Sequence, residues 1–389
     1  MSEGEPAGGK SATPMTTVVG VAVIEHGRLL AARRTRPSSM RGRWELPGGK
    51  VEPDETPSAA AVREVREELG CRIEVLAWLA GCEPVASDDR LRVALARGEE
   101  GEPIPHEHDA IRWLAPEQLD TVPWLEPDLP FLPTLRETLL DGEPMTGGNV
   151  GGAVRIGRTV RRGTGPWTPA VHRLLGHVHA KRLRAVPRVL GVDERNREVL
   201  SYLPGRIVDV DHEMLTDAQL GDLARWTRQL HDAVEDFTGE TASGPWRFFP
   251  VPGADIVAHN DIAPYNVCFN DDRVAGVFDW DMAGPSTRVF ELAHLAWNCV
   301  PLYGPIPADQ AARRLELVAA AYGGPSAAEI LTAVIPLKRI GAAGIRDWIA
   351  KEDPAGAAQA AIGEPALTER AVADLATRMP AIIAHLPRP

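Results

Sequence analysis

The chain has 389 residues, of which 44% are hydrophobic and 25% charged, a composition typical of globular proteins. This length exceeds that of an ordinary single domain, so we expect two domains. The formal net charge of −12 argues against a nucleic-acid scaffold, which would usually carry a basic face. An acidic enzyme can still bind anionic nucleotides when metal ions lie between the two sets of negative charge.

The cysteines and the start of the chain indicate the compartment. None of the four cysteines forms a C-x-x-C pair or shows zinc-ligand spacing, which favours a reduced, cytoplasmic setting. Residues 1–15 have neither the basic nor the apolar region of a signal peptide, so we expect a disordered tail there. No run of about 18 apolar residues occurs, so we expect no membrane span.

Residues 16–143 follow a mixed α/β pattern. The apolar run 18–24, the punctuating Gly27 and the following "RLLAA" predict a hairpin, and further strands are expected at 75–79, 91–95 and 110–114. Residues 56–69 predict a helix that ends at Gly70. Helices are also expected at "APEQL" and "FLPTLRETLLDG". The first domain is therefore predicted to be an α/β domain.

A glycine-rich stretch then marks a border near residue 143. The sequence "TGGNVGGAVRIG" is equally consistent with a linker and with a loop that covers phosphates. Strands at 153–156, 159–162, 188–192 and 199–203, with a helix at 168–179, predict a small β-rich lobe over about 144–205. Residues 206–389 are mostly helical, with a β-rich interruption at 256–278. The second domain, 144–389, is therefore predicted to be bilobal and of the α+β class.

Three carboxylates lie close together in "GGKVEPDETPSAAAVREVREELG", which spans residues 48–70. On a helix, Glu64 lies near Glu67 at i+3 and near Glu68 at i+4, so all three share one face. Like charges at these spacings destabilise a helix. A divalent cation such as Mg²⁺ or Mn²⁺, which prefers oxygen ligands, would remove the conflict. A solvated charged helix is the competing interpretation, but it explains neither the glycines nor the spacing.

The same stretch resembles the Nudix box, G-x5-E-x7-R-E-U-x-E-E-x-G-U, where U is a bulky aliphatic residue. Every fixed position matches, with Cys71 in the last aliphatic slot. The resemblance implies a mixed sheet between helices and hydrolysis of a nucleoside diphosphate linked to a group X. It also implies roles for the box residues: metal ligands Gly49 (through its carbonyl), Glu64, Glu67 and Glu68, with Glu64 as the base, and a bracing pair of Arg63 and Glu55.

The remainder of the first domain resembles the MutT branch of that family, the nucleoside-triphosphate pyrophosphohydrolases. "AARRTRPSSMRGRWELPGGK", "HEHDAIRWLAPEQL" and "WLEPDLPFLP" carry this likeness. By the resemblance, Arg34 contacts phosphate or sugar, Glu107 is a further metal-binding or basic carboxylate, and Asp128 contacts the base edge. For each of the three, an ordinary surface charge is the competing interpretation.

A second group of polar residues occurs in "VAHNDIAPYNVCFNDDRVAGVFDWDMAGP". The order H-x-D-x4-N, a hairpin, and an Asp at the end of an apolar strand suit phosphoryl transfer. This stretch resembles the aminoglycoside phosphotransferase family of kinase-like enzymes, which implies ATP or GTP as donor and a small hydroxylated acceptor. The resemblance makes Asp261 the base, Asn266 and Asp279 the Mg²⁺ ligands, and His259 a support of the loop. We interpret Asp281 as a helix or turn carboxylate.

The small lobe departs from that pattern. A kinase-like site expects a strand Lys paired with a helix Glu. The strand "GRTVRRG" offers Arg161 instead, and the following helix offers no Glu. Arginine carries the charge, but its planar fork differs from an ammonium. Three hypotheses therefore stay open for the second domain: an active phosphotransferase, a silent nucleotide- or metabolite-binding module, or the main enzyme with the first domain auxiliary to it.

Overall fold

The structure is a computed structural model that describes residues 16–85, 89–145, 152–239 and 242–387. The predicted tail, 1–15, and residues 146–151, the first half of the predicted glycine-rich stretch, lie outside these residues. The chain forms two compact units. The first ends at Pro144 but also includes Val154–Thr159, and the second contains the rest.

The first unit contains ten strands and two α-helices among its described residues. In chain order they are β1 (Thr16–Glu25), β2 (Arg28–Arg33), β3 (Trp44–Glu45), β4 (Gly48–Lys50), α1 (Pro57–Leu69), β5 (Arg72–Trp78), β6 (Glu83–Pro84), β7 (Asp89–Glu100), β8 (Ala110–Leu114), α2 (Leu132–Asp141), β9 (Glu143–Pro144) and β10 (Val154–Ile156). The "APEQL" segment, for which the sequence predicts a helix of unspecified type, is a 3₁₀ helix, Pro116–Thr121.

An eight-stranded mixed sheet forms the centre of the first unit, with the order β3-β2-β1-β7-β5 along its main path. Strands β1 and β7 run parallel, whereas β1 pairs with β2 and β4 in antiparallel fashion. Strand β7 is longer than predicted because it pairs with β1 on one side and with β5 on the other. The predicted hairpin of β1 and β2 is confirmed.

Alternation along β1 creates the two faces of this sheet. Val19 and Val21 pack with Val65 and Leu69 of α1 in one apolar cluster. Ala22, the residue after Val21, belongs to a separate cluster that includes Leu135 of α2. Because successive strand residues point to opposite faces, one strand serves both layers. The predicted sandwich of a mixed sheet between helices is confirmed.

Local chemistry fixes both ends of α1. Thr56 caps its start by accepting a 3.2 Å hydrogen bond from the backbone N–H of Ala59. Gly70 ends it in the left-handed conformation, with φ of 66°, which glycine adopts without a steric cost. The helix therefore begins and ends where the sequence predicted, and the carboxylates between these ends are held in register.

The second unit begins with strands and continues with helices. Its elements are β11 (Thr159–Gly163), α3 (Thr168–Ala180), β12 (Val189–Val192), β13 (Arg197–Ser201), β14 (Arg206–Ile207), α4 (Asp217–Ala233), β15 (Ile256–Ala258), β16 (Val267–Asn270), β17 (Arg273–Val277), β18 (Gly284–Ser286), α5 (Arg288–Cys299), α6 (Ala308–Tyr322), α7 (Ala327–Ala350), α8 (Pro354–Ala361) and α9 (Ala366–Ala384).

Strands β12, β13 and β11 lie side by side in that order, and the large apolar core lies mainly among the later helices. Two small sheets interrupt the helical part: β14-β16-β17 and the pair β15-β18. They frame the loop that carries the H-x-D-x4-N sequence. The predicted order, a β-rich part followed by a helical part with a β-rich interruption, is confirmed.

Within the described ranges, no single helix is both long and apolar enough to cross a bilayer. Helices α6 and α7 meet the length and composition criteria only as a pair, and they are bent by 104° at their break.

Candidate functional site

The two glycines before α1 bring the chain close to the helix carboxylates. Gly48 has φ of 151°, and a methyl group there would collide with the carbonyl oxygen of Val19 on the paired strand. A methyl group on Gly49 would collide with the carboxylate of Glu64. The backbone N–H of Gly48 donates a 2.9 Å hydrogen bond to Glu68. The glycines therefore leave the space in which two carboxylates lie against the backbone of β4.

Arg63 holds the helix and the preceding loop together. Its Nε and Nη2 atoms donate to the two carboxylate oxygens of Glu55, at 3.0 and 2.9 Å. Nη2 also donates to the carbonyl oxygen of Lys50 at 3.0 Å. Nη1 donates to Glu64 at 2.9 Å and to Glu67 at 3.2 Å. One guanidinium thus offsets the repulsion among three carboxylates, as expected for a planar fork of donors.

The helix carboxylates differ in their surroundings. Burial raises the pKa of Glu68 to about 7, against the opposing charge of His108 and the hydrogen bond from Gly48. Burial also raises the pKa of Glu64, although the hydrogen bond from Arg63 opposes this shift. The Glu67 side chain is 57% exposed and lies at the solvent side of the helix. The carboxylate face therefore combines a buried acid, Glu68, with an exposed one, Glu67, and burial accounts for the raised pKa of Glu68.

The carboxylate face has the chemistry of a site for a hard cation. Within the described ranges, no three His, Cys, Asp or Glu side chains converge into a complete set of metal ligands. Mg²⁺ does not need such a set, because it keeps several waters and binds through one or two carboxylates together with substrate phosphates. Carboxylate oxygens beside a close-lying glycine backbone fit this requirement.

A buried polar group lies next to the box, and sequence reasoning missed two of its members. Glu45 of β3 accepts a 2.5 Å hydrogen bond from Arg34, and its other carboxylate oxygen lies 2.9 Å from Nε2 of His108. Both Glu45 and His108 are buried. The position of Glu45 directly before "LPGG" was the available signal, but nothing in the sequence indicated that His108 would reach it.

The structure brings Arg34 and Asp128 to this same group. Asp128 is 4% exposed. Burial raises its pKa well above the usual range, the charge of Glu45 adds to the shift, and Arg34 opposes it. Glu107 is exposed, and its charge contributes to the raised pKa of Glu64. Arg34 and Asp128 therefore lie beside Glu45, and Glu107 lies near Glu64 of the box.

In the second unit, the H-x-D-x4-N loop is held by its own members. Asn266 donates from Nδ2 to the Asp261 carboxylate at 2.9 Å and also to the Asp261 carbonyl oxygen. The backbone N–H of Asp261 donates to Nδ1 of His259 at 3.2 Å. Nε2 of His259 lies 3.1 Å from the carbonyl oxygen of Phe278, so it carries the proton. His259 thereby ties the loop to the residue before Asp279.

Two further residues face Asp261. His294 of α5 places Nε2 at 3.2 Å from Oδ1 of Asp261. Burial raises the pKa of Asp261 to about 7, and the charges of His259 and Lys338 oppose this shift. Lys338 of α7 lies with its Nζ 5.0 Å from the ring centroid of Trp297. No pattern in the sequence indicates that α5 and α7 contribute these groups.

Asp279 lies at the end of β17, with its backbone in the left-handed region, φ 61° and ψ 65°. A non-glycine residue in this conformation carries a cost that functional sites often retain. Its Oδ1 accepts a 2.7 Å hydrogen bond from Arg162. Arg161, the predicted cation, is buried and pairs instead with Asp193 at 3.4 Å. Adjacent strand residues face opposite sides, so the two arginines are held by different partners.

The carboxylate that the sequence did not provide on α3 comes from β13. Glu198 accepts a 2.6 Å hydrogen bond from Nε of Arg162 and lies 2.7 Å from Nε2 of His172, which belongs to α3. Asp281 also accepts from Arg162, at 2.5 Å. Asp281, which the sequence indicates as a helix or turn carboxylate, lies in the short 3₁₀ helix Trp280–Met282 and also pairs with Arg162.

Known protein families match both units. The family profile described as NUDIX domain matches residues 14–135, and the profile described as Phosphotransferase enzyme family matches residues 250–331. "Putative 8-oxo-dGTP diphosphatase 2" of Mycobacterium tuberculosis (strain ATCC 25618 / H37Rv) is 38% identical over 128 residues, which are 31% of this chain and 89% of that protein. "CTP pyrophosphohydrolase" of Escherichia coli (strain K12) is 36% identical over 120 residues, 30% of this chain and 89% of that protein.

A third relative differs in name and coverage. "Trifolitoxin immunity protein" of Rhizobium leguminosarum bv. trifolii is 32% identical over 165 residues, which are 41% of this chain and 62% of that protein. The chain therefore spans less than two thirds of this relative. Taken with the box geometry, the profile match over residues 14–135 assigns the first unit to the Nudix fold. The chain belongs to the Nudix family through this unit and carries a phosphotransferase-family domain after it.

Proposed function

We propose that the first unit is a divalent-metal-dependent pyrophosphohydrolase that acts on a nucleoside triphosphate or a related nucleoside diphosphate derivative. The observation that carries this proposal is the shared face of three carboxylates: Arg63 holds Glu64 and Glu67, and the backbone N–H of Gly48 holds Glu68. Two Nudix relatives, an 8-oxo-dGTP diphosphatase and a CTP pyrophosphohydrolase by name, support the substrate class.

In this proposal each residue of the box has a separate task. Bound Mg²⁺ or Mn²⁺ supplies charge neutralisation at the phosphates and lowers the pKa of water. Glu67, Glu68 and the Gly49 carbonyl hold the ion, and Glu64 both binds it and accepts a proton from water. Arg63 and Glu55 keep the helix at the distance from β4 that metal binding requires.

Three residues outside the box are proposed to act on the nucleotide or beside the metal. Arg34 contacts phosphate or sugar, Asp128 contacts the base edge, and Glu107 adds a carboxylate beside Glu64.

Product analysis with the full chain tests this proposal. The protein is incubated with Mg²⁺ and, separately, with 8-oxo-dGTP, dGTP, CTP and UTP, and nucleoside monophosphate and pyrophosphate are quantified. Glu67→Gln should lower kcat by at least tenfold. Glu99→Gln is the matched control, because the Glu99 side chain is 53% exposed against 57% for Glu67. Absence of monophosphate from every nucleotide, or equal rates for both variants, would refute the proposal.

We infer a second function, phosphoryl transfer from ATP or GTP to a small hydroxylated acceptor, for the second unit. The arrangement of Asp261, Asn266 and Asp279 favours it, with Asp261 accepting the hydroxyl proton and Asn266 and Asp279 holding Mg²⁺. His259 positions the loop. The open alternatives are a silent nucleotide- or metabolite-binding module and a main enzyme to which the first unit is auxiliary.

Transfer of radiolabelled γ-phosphate distinguishes an active phosphotransferase from a silent module in the full chain. ATP and GTP are offered with a panel of sugar alcohols and aminoglycosides, and each product is checked with Asp261→Asn and with Glu67→Gln. Transfer that Asp261→Asn abolishes and Glu67→Gln leaves intact identifies an active phosphotransferase. Nucleotide binding without transfer to any acceptor supports the silent module. A cytoplasmic location stays a prediction.

A further inference from the structure

Three carboxylates converge on one guanidinium in the second unit. Nε of Arg162 donates to Glu198 at 2.6 Å, Nη1 to Asp279 at 2.7 Å and Nη2 to Asp281 at 2.5 Å. Each nitrogen of the fork therefore has its own acidic partner. An Arg side chain is always charged in proteins, so this link persists at any pH at which the carboxylates are ionised.

The three carboxylates that accept hydrogen bonds from Arg162 differ in their exposure and in their other partners. Glu198 is 2% exposed and has His172 as a second partner. Asp281 is 22% exposed, and it accepts a second bond, 3.1 Å long, from Arg247, whose guanidinium lies 4.3 Å from the ring centroid of Trp167. Asp279 is 44% exposed. Of the three, Asp279 is thus the carboxylate that an incoming ion reaches most easily.

We propose that Arg162 is an internal counter-ion that competes with a divalent metal ion for Asp279. We further propose that the polyphosphate of a nucleotide draws Arg162 away from Asp279. Nη1 of Arg162 donates to Oδ1 of Asp279, so a metal ion bound to that oxygen would compete with this hydrogen bond for the same lone pairs. The guanidinium fork matches phosphate oxygens as well as carboxylates, so a polyphosphate offers Arg162 replacement partners.

The remaining contacts limit the free-energy cost of moving the Nη atoms of Arg162 from the aspartates to a phosphate. Nε of Arg162 keeps its bond to Glu198 when the Nη atoms turn towards a phosphate. Asp281 keeps its bond to Arg247. No buried carboxylate of the three is left without a cationic or imidazole partner. Because the phosphate frees Asp279 for the metal, the binding of metal and the binding of polyphosphate are positively coupled, and the coupling is reciprocal.

This inference rests on the proposed phosphate-handling role of the second unit, but its test measures binding and needs no phosphoryl transfer. Two separate titrations are made on the full chain: Mn²⁺ alone, followed by electron paramagnetic resonance, and inorganic tripolyphosphate in EDTA, followed by calorimetry. The background carries Glu64→Gln, Glu67→Gln and Glu68→Gln, which removes the three side-chain carboxylates of α1 that are proposed to bind metal in the first unit. A protein that binds both probes and transfers no phosphate would weaken the proposed function alone.

The key variant is Arg162→Met, which removes the charge and keeps most of the stem. We expect its Mn²⁺ dissociation constant to fall at least threefold and its tripolyphosphate dissociation constant to rise at least fivefold. Adding Asp279→Asn should abolish the gain in Mn²⁺ affinity. Arg206→Met is the control, because Arg206 is an exposed arginine of the same unit that pairs with Glu213, and both constants should stay within twofold.

The opposite signs of the two changes make the proposal easy to overturn. An unchanged or weaker Mn²⁺ affinity in Arg162→Met overturns it, and so does an unchanged tripolyphosphate affinity. Lack of binding of both probes to the parent protein overturns it as well. If thermal unfolding shows that Arg162→Met is not folded, Arg162→Lys takes its place. This variant keeps the charge but loses the fork, and it should shift both constants in the same directions by smaller factors.

Discussion

Arg63 and Glu55 form a two-point contact, in which Nε and Nη2 of the arginine each donate to a different oxygen of the carboxylate. Both side chains are largely buried, at 25% and 16% exposed. The contact spans the loop between β4 and α1, so it fixes the distance between the glycines and the carboxylate face. Its strength therefore bears on both stability and the candidate metal site.

A double-mutant cycle on this pair should give a coupling free energy of about 1–3 kcal/mol, because charge-assisted bidentate bonds are among the stronger ones. The variants are Arg63→Met, Glu55→Gln and the double variant. Hydrogen exchange of the α1 amides, followed by mass spectrometry, reports the local stability. A coupling below about 0.3 kcal/mol, the range of independent sites, would show that the two residues do not brace the helix.

Gly48→Ala should destabilise the first unit by about 2–4 kcal/mol, because the new methyl group meets the Val19 carbonyl oxygen at a backbone angle that favours glycine. Gly98→Ala is the matched control, since Gly98 also lies in a strand and has open space around the position of a Cβ. Hydrogen exchange of the strands gives both values. Equal effects of the two variants would contradict the steric argument.

Asp261→Asn should stabilise the protein at pH 8 more than at pH 5. The native pKa of Asp261 is about 7, above the ordinary 3.8, so the folded state holds the proton more tightly than the unfolded state does. Stability from this group is therefore present below about pH 4 and is lost as the pH rises through 7. The gain at pH 8 should be about 1–4 kcal/mol.

Thermal unfolding of wild type and Asp261→Asn at the two pH values provides the measurement. The two proteins share every other titrating residue, so the difference between the two differences reports Asp261 together with the groups coupled to its charge, His259, Glu291 and Lys338. The same shift predicts that any phosphoryl transfer by this unit rises between pH 6 and pH 8, because Asp261 must be ionised to accept a proton. A stabilisation that does not change with pH would exclude the raised pKa.

Asp128→Asn should change the preference among nucleotides more than it changes the overall rate. Asp128 is buried beside Glu45 and Arg34 and is proposed to contact the base edge, and an amide presents different donors and acceptors there. We expect the ratio of kcat/KM between 8-oxo-dGTP and CTP to change at least tenfold. Asp120→Asn, at an exposed carboxylate paired with Arg136, should leave the ratio unchanged. Equal ratios in both variants would remove Asp128 from base recognition.

Local signals in the sequence predicted the first unit well. The spacing between Thr56 and Gly70 defined α1, and the spacing of the carboxylates on that helix defined the candidate metal face. The groups that were missed come from distant parts of the chain: His108 reaches Glu45 across 63 residues, and Arg162 reaches Asp279 across 117. Such contacts depend on sheet order and packing, which periodicity does not report.

The choice between Arg161 and Arg162 shows the same limit in a single strand. Two adjacent residues of one type carry no signal about which one faces a site, because only the register of β11 in its sheet decides it. The prediction selected Arg161, and the structure places Arg162 against Asp279. A strand prediction without register cannot make this distinction.

That doubled arginine also has an evolutionary consequence. A slip of β11 by one residue turns every side chain to the other face of the sheet. In most strands such a slip would replace the functional residue by one of different chemistry. In β11 it would bring Arg161 to the side on which Arg162 now lies, so a guanidinium would face the aspartates in either register. The repeated residue would therefore keep a guanidinium on this side of the sheet after a one-residue insertion or deletion in the preceding turn.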